Sequence, residues 1–384
     1  MRYSIFIFLF FWCLILTTGC DRPEAIKASG TTIKVGVIGP FSGPDSALGE
    51  DSLRGIRTVM HMQPLLDNGD KVELVIEDDK NDPKLSLTAL KKLTTKDKVS
   101  AILLLSSSTP ALAVNELADS YQVPVLVLVA THPDIAKDKT FVSQLIFDNT
   151  AQGSIAALFV RDELLIDTVA VFHNKESAYS TSLAYEFIRK FGAVGGEITA
   201  NINVPKMADA NDLKDIMEKL ERKKPQLLYL PIAAQDFIQI SKALNEQGWA
   251  PERMGRDGLD ANIMRRHPEE TGLLEGIYDI DMYTDVVQGT SFGQKAIKAY
   301  FQLYKRKGNS FTAIGAEGYA ILQYAMNRCS HPGDGQCINT MVHNTDSFEG
   351  ILGRISIFAD GKVERTLIVN RVKKGMAEFV VKVY

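Results

Sequence analysis

Residues 99–135, VSAILLLSSSTPALAVNELADSYQVPVLVLVATHPDI, constrain the fold more than any other stretch of this chain. Two short runs inside it, 99–105 and 123–129, are almost wholly apolar and rich in Val, Ile and Leu. That is the pattern of parallel strands covered on both faces, not the in-out alternation of a sheet with one wet face. Between them Pro110 suits a first helical turn, where its missing N–H costs nothing, and residues 111–121 carry apolar side chains at helical spacing. Strand, helix and strand make a βαβ unit. Each strand runs into a polar turn, Ser106-Ser107-Ser108-Thr109 and Ala130-Thr131-His132. Ligands of open α/β sheets bind beyond the carboxyl ends of the strands, where both turns fall. Hydroxyls and free backbone N–H groups would face an anion there. Small hydroxyl residues also cap helices; two matched turns at one sheet edge favour a site.

The alternation extends along the chain. Residues 33–38 read as a strand that opens into Gly39-Pro40-Phe41-Ser42-Gly43-Pro44, where two glycines and two prolines preclude regular structure. A helix over 47–62 and a strand over 72–78 follow, then Glu77-Asp78-Asp79-Lys80-Asn81-Asp82-Pro83. Asp82 is a candidate N-cap and Pro83 a first-turn proline. Asp78 and Asp79 read as solvated loop residues, because no third ligand for a cation lies nearby. At 384 residues the chain is long enough for two domains. A net charge of -4 gives no basic footprint for nucleic acid. None of the six histidines sits in a Gly-x-Ser-x-Gly or His-Glu-x-x-His context, and there is no Gly-rich phosphate loop. No enzyme, metal or cofactor is expected, and His132 reads as a loop residue contributing its backbone N–H.

Arg2 is followed by an uncharged run over residues 3–19, a signal-peptide pattern that is short for a membrane span. Its end, Leu16-Thr17-Thr18-Gly19-Cys20, resembles a bacterial lipobox, with Thr17 where Leu is usual. The resemblance implies a signal peptide over 1–19, lipidation of Cys20, and a tether over 20–32. Asp21 in second place implies a periplasmic protein anchored to the inner membrane by that lipid; an ordinary signal peptide or an uncleaved anchor is the alternative. Cys329 and Cys337 flank Ser-His-Pro-Gly-Asp-Gly-Gln, a turn-rich loop able to bring two sulfurs together. A disulfide is expected in an oxidising compartment, since with His331 the pair lacks a fourth partner at zinc-like spacing.

Strand, Pro-Phe-Ser-Gly loop, helix, strand, Asp-Asp with Asp-Pro, helix, strand, Ser-Ser-Ser-Thr and then Ala-Thr resembles the type I periplasmic binding proteins of the branched-chain amino acid transport family. The likeness continues through the strand at 168–172 into His173-Asn174-Lys175-Glu176-Ser177-Ala178-Tyr179, similar to the family's second-lobe loop with an aromatic over the ligand. It includes the buried strand at 226–230, Met254-Gly255-Arg256-Asp257-Gly258 at the family's Gly-x-acid-Gly turn, and a late strand over 348–361 ending in Ala-Asp-Gly. The resemblance implies an α/β fold of two Rossmann-like lobes joined by hinge crossings. Lobe one would take 33–147 plus 281–346, and lobe two 148–280 plus 347–384. It further implies an extracytoplasmic lipoprotein that captures an amino acid or similar small polar molecule between the lobes and delivers it to an ABC transporter permease. By the same resemblance, Ser106, Ser107, Val129 and Thr131 would carry the ligand carboxylate, Asp257 the ammonium, and Tyr179 the contact from lobe two.

Several positions depart from the family pattern. Asp257 replaces Glu, Val129 replaces Ala, Leu105 stands in place of a disulfide cysteine, and Pro231-Ile232-Ala233 occupies the place of Gly-Gly-Tyr. A wider or less polar wall follows, suiting a larger amino acid, an amide, or a ligand without an amine. Arg256 beside Asp257 leaves open that this acid is a surface turn residue. A sensing or partner-regulating envelope lipoprotein built on the same module is the rival function.

Overall fold

The computed structural model describes residues 27–205, 208–259, 264, 268–284 and 289–383; residues 1–19, expected to be a signal peptide, and Cys20 lie outside the described residues. Five strands, β1 (Thr32–Gly39), β2 (Lys71–Asp78), β3 (Ala101–Leu104), β4 (Val125–Val127) and β5 (Val142–Gln144), form a wholly parallel sheet in the order β2-β1-β3-β4-β5. Helices α1 (Ser46–Met62), α2 (Pro83–Lys92) and α3 (Ser108–Tyr121) make the crossovers. Every residue of β3 and β4 is buried, which is why both read as unbroken apolar runs. Helix α2 starts where its first residues dictate: Asp82 accepts from the N–H groups of Lys84 and Leu85, with Pro83 in the first turn.

The chain then crosses to a second layered unit. It comprises α4 (Asn149–Leu158), β6 (Thr168–His173), α5 (Ala178–Ala193), β7 (Glu197–Asn203), α6 (Ala210–Lys223), β8 (Leu227–Leu230), α7 (Ala234–Glu246), β9 (Glu252–Gly255) and β10 (Tyr278–Asp281). After β10 come α8 (Ser291–Tyr304), α9 (Ser310–Asn327) and α10 (Gly335–His343), then strands β11 (Phe348–Glu349), β12 (Arg354–Ile357) and β13 (Val363–Arg365). Strands β14 (Leu367–Lys373) and β15 (Met376–Val383) close the chain. The second sheet runs β15-β14-β10-β9-β8-β6-β7, parallel from β6 to β10 and antiparallel at β14 and β15. This is the two-lobed α/β architecture that the family resemblance implied, built from the strands and helices that the alternation of apolar runs indicated.

Helix α9 is buried on nearly all sides and packs along α1. The two backbones meet at glycines: a Cβ on Gly55 would lie 2.0 Å from the Thr312 carbonyl oxygen, and one on Gly315 2.0 Å from that of Ser52. Next to α9, Cys329 and Cys337 are disulfide-bonded across the eight-residue separation, with Cα atoms 5.9 Å apart.

Residues 347–384, assigned as a block to lobe two from the sequence, divide between the lobes. Strands β14 and β15 do extend the second sheet, but β11–β13 form a separate antiparallel sheet against lobe one. The physical reason is a buried ion pair. Arg365 donates to Glu317 of α9 at 2.8 Å and to the Leu145 carbonyl at 3.0 Å, while the other Glu317 oxygen accepts from the Ile351 N–H at 2.6 Å. The Ile351 carbonyl in turn accepts from Thr290 N–H, ahead of α8. One carboxylate therefore ties together segments next to all three passages of the chain between the sheets.

Candidate functional site

The carboxyl ends of β1 to β4 converge on a set of turns organised by acids rather than by free donors. Asp78 accepts from the Phe41 N–H at 2.9 Å and the Ser42 hydroxyl at 2.6 Å, holding the loop after β1. Asp79 is not the solvated loop residue its sequence context suggested: it is fully buried. It accepts from the Ser106 hydroxyl, from Ser86 Oγ at 2.5 Å and from the Asn81 N–H at 2.9 Å. Burial pushes its pKa up, and the hydrogen bonds from Ser106 and Ser86 oppose that shift. Asn81 Oδ1 accepts the Ser107 N–H at 2.9 Å. Ser108 Oγ accepts the N–H groups of Thr131 and His132 at 3.3 and 3.2 Å.

These bonds revise the expectation of free donors at this edge. The Ser106 hydroxyl and the N–H groups of Ser107, Thr131 and His132 are all committed to protein acceptors, because a compact sheet edge satisfies its own polar groups before any ligand arrives. What remains is the Ser107 hydroxyl, half-buried and without a partner among the described residues, and the Thr131 hydroxyl, fully buried and likewise unpartnered. Val129 lies in the main hydrophobic core, two residues beyond β4. His132 is half-buried, and burial lowers its pKa, keeping the ring neutral.

The second lobe brings its own groups to this edge. Helix α4 starts at Asp148, which caps the Ala151 N–H, and its first residue is tied to lobe one: Asn149 N–H donates to the Thr131 carbonyl at 2.7 Å. Asn149 Nδ2 reaches the Tyr179 carbonyl at 3.2 Å and Ser182 Oγ at 2.6 Å. Ser177 caps α5, placing Tyr179 in its first turn, and the Tyr179 hydroxyl donates to Asp257 at 2.5 Å. Gln152 Nε2 lies 3.4 Å from the same carboxylate oxygen. The edges touch where the Ala178 N–H donates to Thr109 Oγ1 at 3.2 Å.

Asp257 is 6% exposed, so it is not a surface turn residue. The turn that carries it depends on Gly258, whose φ of +68° is costly for any residue with a side chain. Arg256 does not neutralise the acid: its Nε donates to the Asp257 backbone carbonyl, and its guanidinium carbon lies 5.0 Å from the centre of the Tyr179 ring. Asp257 thus has a hydroxyl and a distant amide as partners, and no ion pair among the described residues. Burial, reinforced by the Asp257 charge, pushes the Tyr179 hydroxyl well above its ordinary pKa, so it stays a donor.

Sequence reasoning singled out Tyr179, Asp257 and Thr131, and hydrogen bonds through Asn149 and Gln152 connect their surroundings. It missed Asp79, Asn149, Gln152 and Tyr229. Tyr229 on β8 stacks on Phe187 at 4.0 Å, its hydroxyl buried without a partner. Burial and then the Asp257 charge raise its pKa, so an aromatic lies near the acid although the Gly-Gly-Tyr pattern is absent. Unpartnered oxygens also remain on Thr131, Asn149 and Gln152, a concentration of buried unsatisfied groups in one place that a polar ligand would complete.

Two α/β units facing each other across polar strand ends define a two-lobed ligand-binding protein of the type I periplasmic fold. The sequence matches the periplasmic binding protein family over residues 32–377, and the chain belongs to that family, in its branched-chain amino acid division. Leu/Ile/Val-binding protein homolog 3 of Brucella melitensis is 22% identical over 341 residues, covering 87% of this chain and 89% of that protein. A leucine binding protein from Thermotoga maritima has a crystal structure similar at a TM-score of 0.84 and 26% identity, over 91% of this chain and 98% of that one. A solute binding protein of an ABC transporter from Rhodopseudomonas palustris, in complex with 3,4-dihydroxy benzoic acid, shares the fold at a TM-score of 0.81 and 20% identity, over 92% and 97% of the two chains. Family membership implies an extracytoplasmic location, and no helix among the described residues is long and apolar enough to cross a membrane.

Proposed function

We propose that this chain is the solute-binding component of an ABC transporter, that it captures an amino acid or related small polar molecule between its lobes, and that it delivers this molecule to a permease while held at the inner membrane by a lipid on Cys20. The observation that carries the reading is Asp257: a buried carboxylate with no cation partner among the described residues, bonded to Tyr179, the residue after the Ala178 that donates to Thr109 of lobe one. A buried unpaired charge is costly, and a ligand ammonium supplies the missing countercharge. The hydroxyls of Ser107 and Thr131 lie at the edge that would take the other end of an amino acid.

The test is calorimetric titration of wild type and Asp257→Ala with L-leucine and with 3,4-dihydroxybenzoate. Removing one partner of a desolvated pair costs on the order of 2 to 5 kcal/mol, so leucine affinity should fall roughly thirtyfold to several thousandfold. The melting temperature of the free protein should change little, because removing a buried acid without a countercharge offsets the loss of its hydrogen bond from the Tyr179 hydroxyl. If Asp257→Ala binds leucine as tightly as wild type, the ammonium assignment is wrong. If wild type binds only the benzoate, the ligand is an acid without an amine.

A further inference from the structure

Of the four hydroxyls of the Ser-Ser-Ser-Thr turn, those of Ser108 and Thr109 are engaged as acceptors of backbone N–H groups, and the geometry separates the other two, Ser106 and Ser107. A hydroxyl has one hydrogen. That of Ser106 goes to Asp79, and Ser106 is fully buried. Ser107 is the next residue, at the N-cap of α3, half-buried, with no hydrogen bond from its side chain. Its backbone is held from behind by Asn81, which also donates from Nδ2 to Asp45 at 2.9 Å, so the position of Ser107 is determined by a chain of bonds through the loop after β2. The loop itself is pinned by Asp79: the Asn81 N–H returns to Asp79, and Ser86 Oγ anchors the same carboxylate to α2.

We infer that Asp79 is a positioning residue of the binding site, which holds Ser106 behind the wall and, through Asn81, presents Ser107 as the hydroxyl that meets the ligand. This deepens the function proposed above and rests on it. The division of labour has a physical basis. A serine in a carboxylate's grip donates along a fixed direction and keeps only lone pairs for anything else, whereas the Ser107 hydroxyl is free to donate its hydrogen to a ligand carboxylate. The Thr131 hydroxyl, buried and unpartnered on the neighbouring strand end, is the second donor of the same edge.

The test uses the whole chain, with L-leucine and 3,4-dihydroxybenzoate as probes, titrated against wild type, Ser106→Ala, Ser107→Ala, Asp79→Ala and Asp79→Asn, each with its melting temperature. Ser107→Ala should weaken the bound probe roughly tenfold to a hundredfold at unchanged melting temperature, the range expected of one hydrogen bond to a charged group. Ser106→Ala should lower the melting temperature, because it strips a donor from a buried acid, yet bind within roughly threefold of wild type. Asp79→Ala should weaken binding although it touches no ligand. Asp79→Asn, whose amide oxygen can still accept the Asn81 N–H that positions Ser107 while its NH2 faces the Ser86 and Ser106 hydroxyls, should recover most of the affinity, a rescue that a merely structural acid would not give. Weaker binding by Ser106→Ala with Ser107→Ala unaffected overturns this inference and leaves the proposed function standing. Equal binding by Asp79→Ala and wild type overturns the positioning role. Failure of wild type to bind either probe overturns both readings.

Discussion

Replacing Arg365 by Met tests whether the carboxylate that joins the three passages between the lobes is as desolvated as its surroundings indicate. The side chains of Arg365 and Glu317 are 4% and 2% exposed, and their contact is 2.8 Å. Arg365→Met removes the cation and the donor to the Leu145 carbonyl, and it leaves Glu317 charged, buried and held only by the Ile351 N–H. Breaking a buried pair this way costs about 3–5 kcal/mol. A lobe of roughly 190 residues unfolds with an entropy near 0.4 kcal/mol/K, so its melting temperature should drop by about 7–12 °C, and by about half that if both lobes melt together. Differential scanning calorimetry reads this directly. Adding Glu317→Gln should return most of the loss, because the amide oxygen still accepts from Ile351 and no charge remains buried. A drop of less than about 2 °C in the single variant, or a double variant no more stable than the single, would show that the pair is not a desolvated one.

Two further outcomes bear on attachment and on pH. Cys20→Ser should abolish labelling by a fatty-acid probe and release the protein from the membrane fraction; unchanged fractionation would exclude the lipid anchor. Burial lowers the pKa values of His132, His173 and His343. A depressed folded pKa contributes stability that is present above the unfolded value, near 6.5, and is lost as pH falls through the folded value. The melting temperature should therefore fall between about pH 6.5 and 5, and His343→Gln should flatten that fall; an equal slope in the variant would sink the assignment. Asp79 acts in the opposite sense, its raised pKa making stability decline as pH rises through the folded value.

The fold was legible because its signals are local. Parallel strands buried on both faces must be apolar throughout, so β3 and β4 stand out as runs, and Asp82 with Pro83 marks a helix start within a few residues. Tyr179 and Asp257 could be singled out because the turns that carry them resemble those of a known family, at strand ends that in this architecture face the ligand. Whether an acid is solvated or buried is not local. Asp79 receives its hydroxyl from Ser106, 27 residues further on, and only the pairing of β1 with both β2 and β3 brings the two together. Nothing in Glu-Asp-Asp-Lys distinguishes the exposed acid from the buried one.

The amino-acid sequence by itself determined the alternation of strands and helices and the strand-end turns where a ligand can bind, since each follows from periodicity, capping and turn chemistry over a few residues; the two-lobed class came from the resemblance of those turns, in their order, to a known family. Tertiary structure alone decided which donors at those turns remain free, that Asp257 is buried without a countercharge among the described residues, and that β11–β13 pack on lobe one. Those outcomes depend on which distant groups arrive within 3 Å of each other. A hydrogen bond or a desolvated charge is a property of that arrival, and no spacing along the chain encodes it.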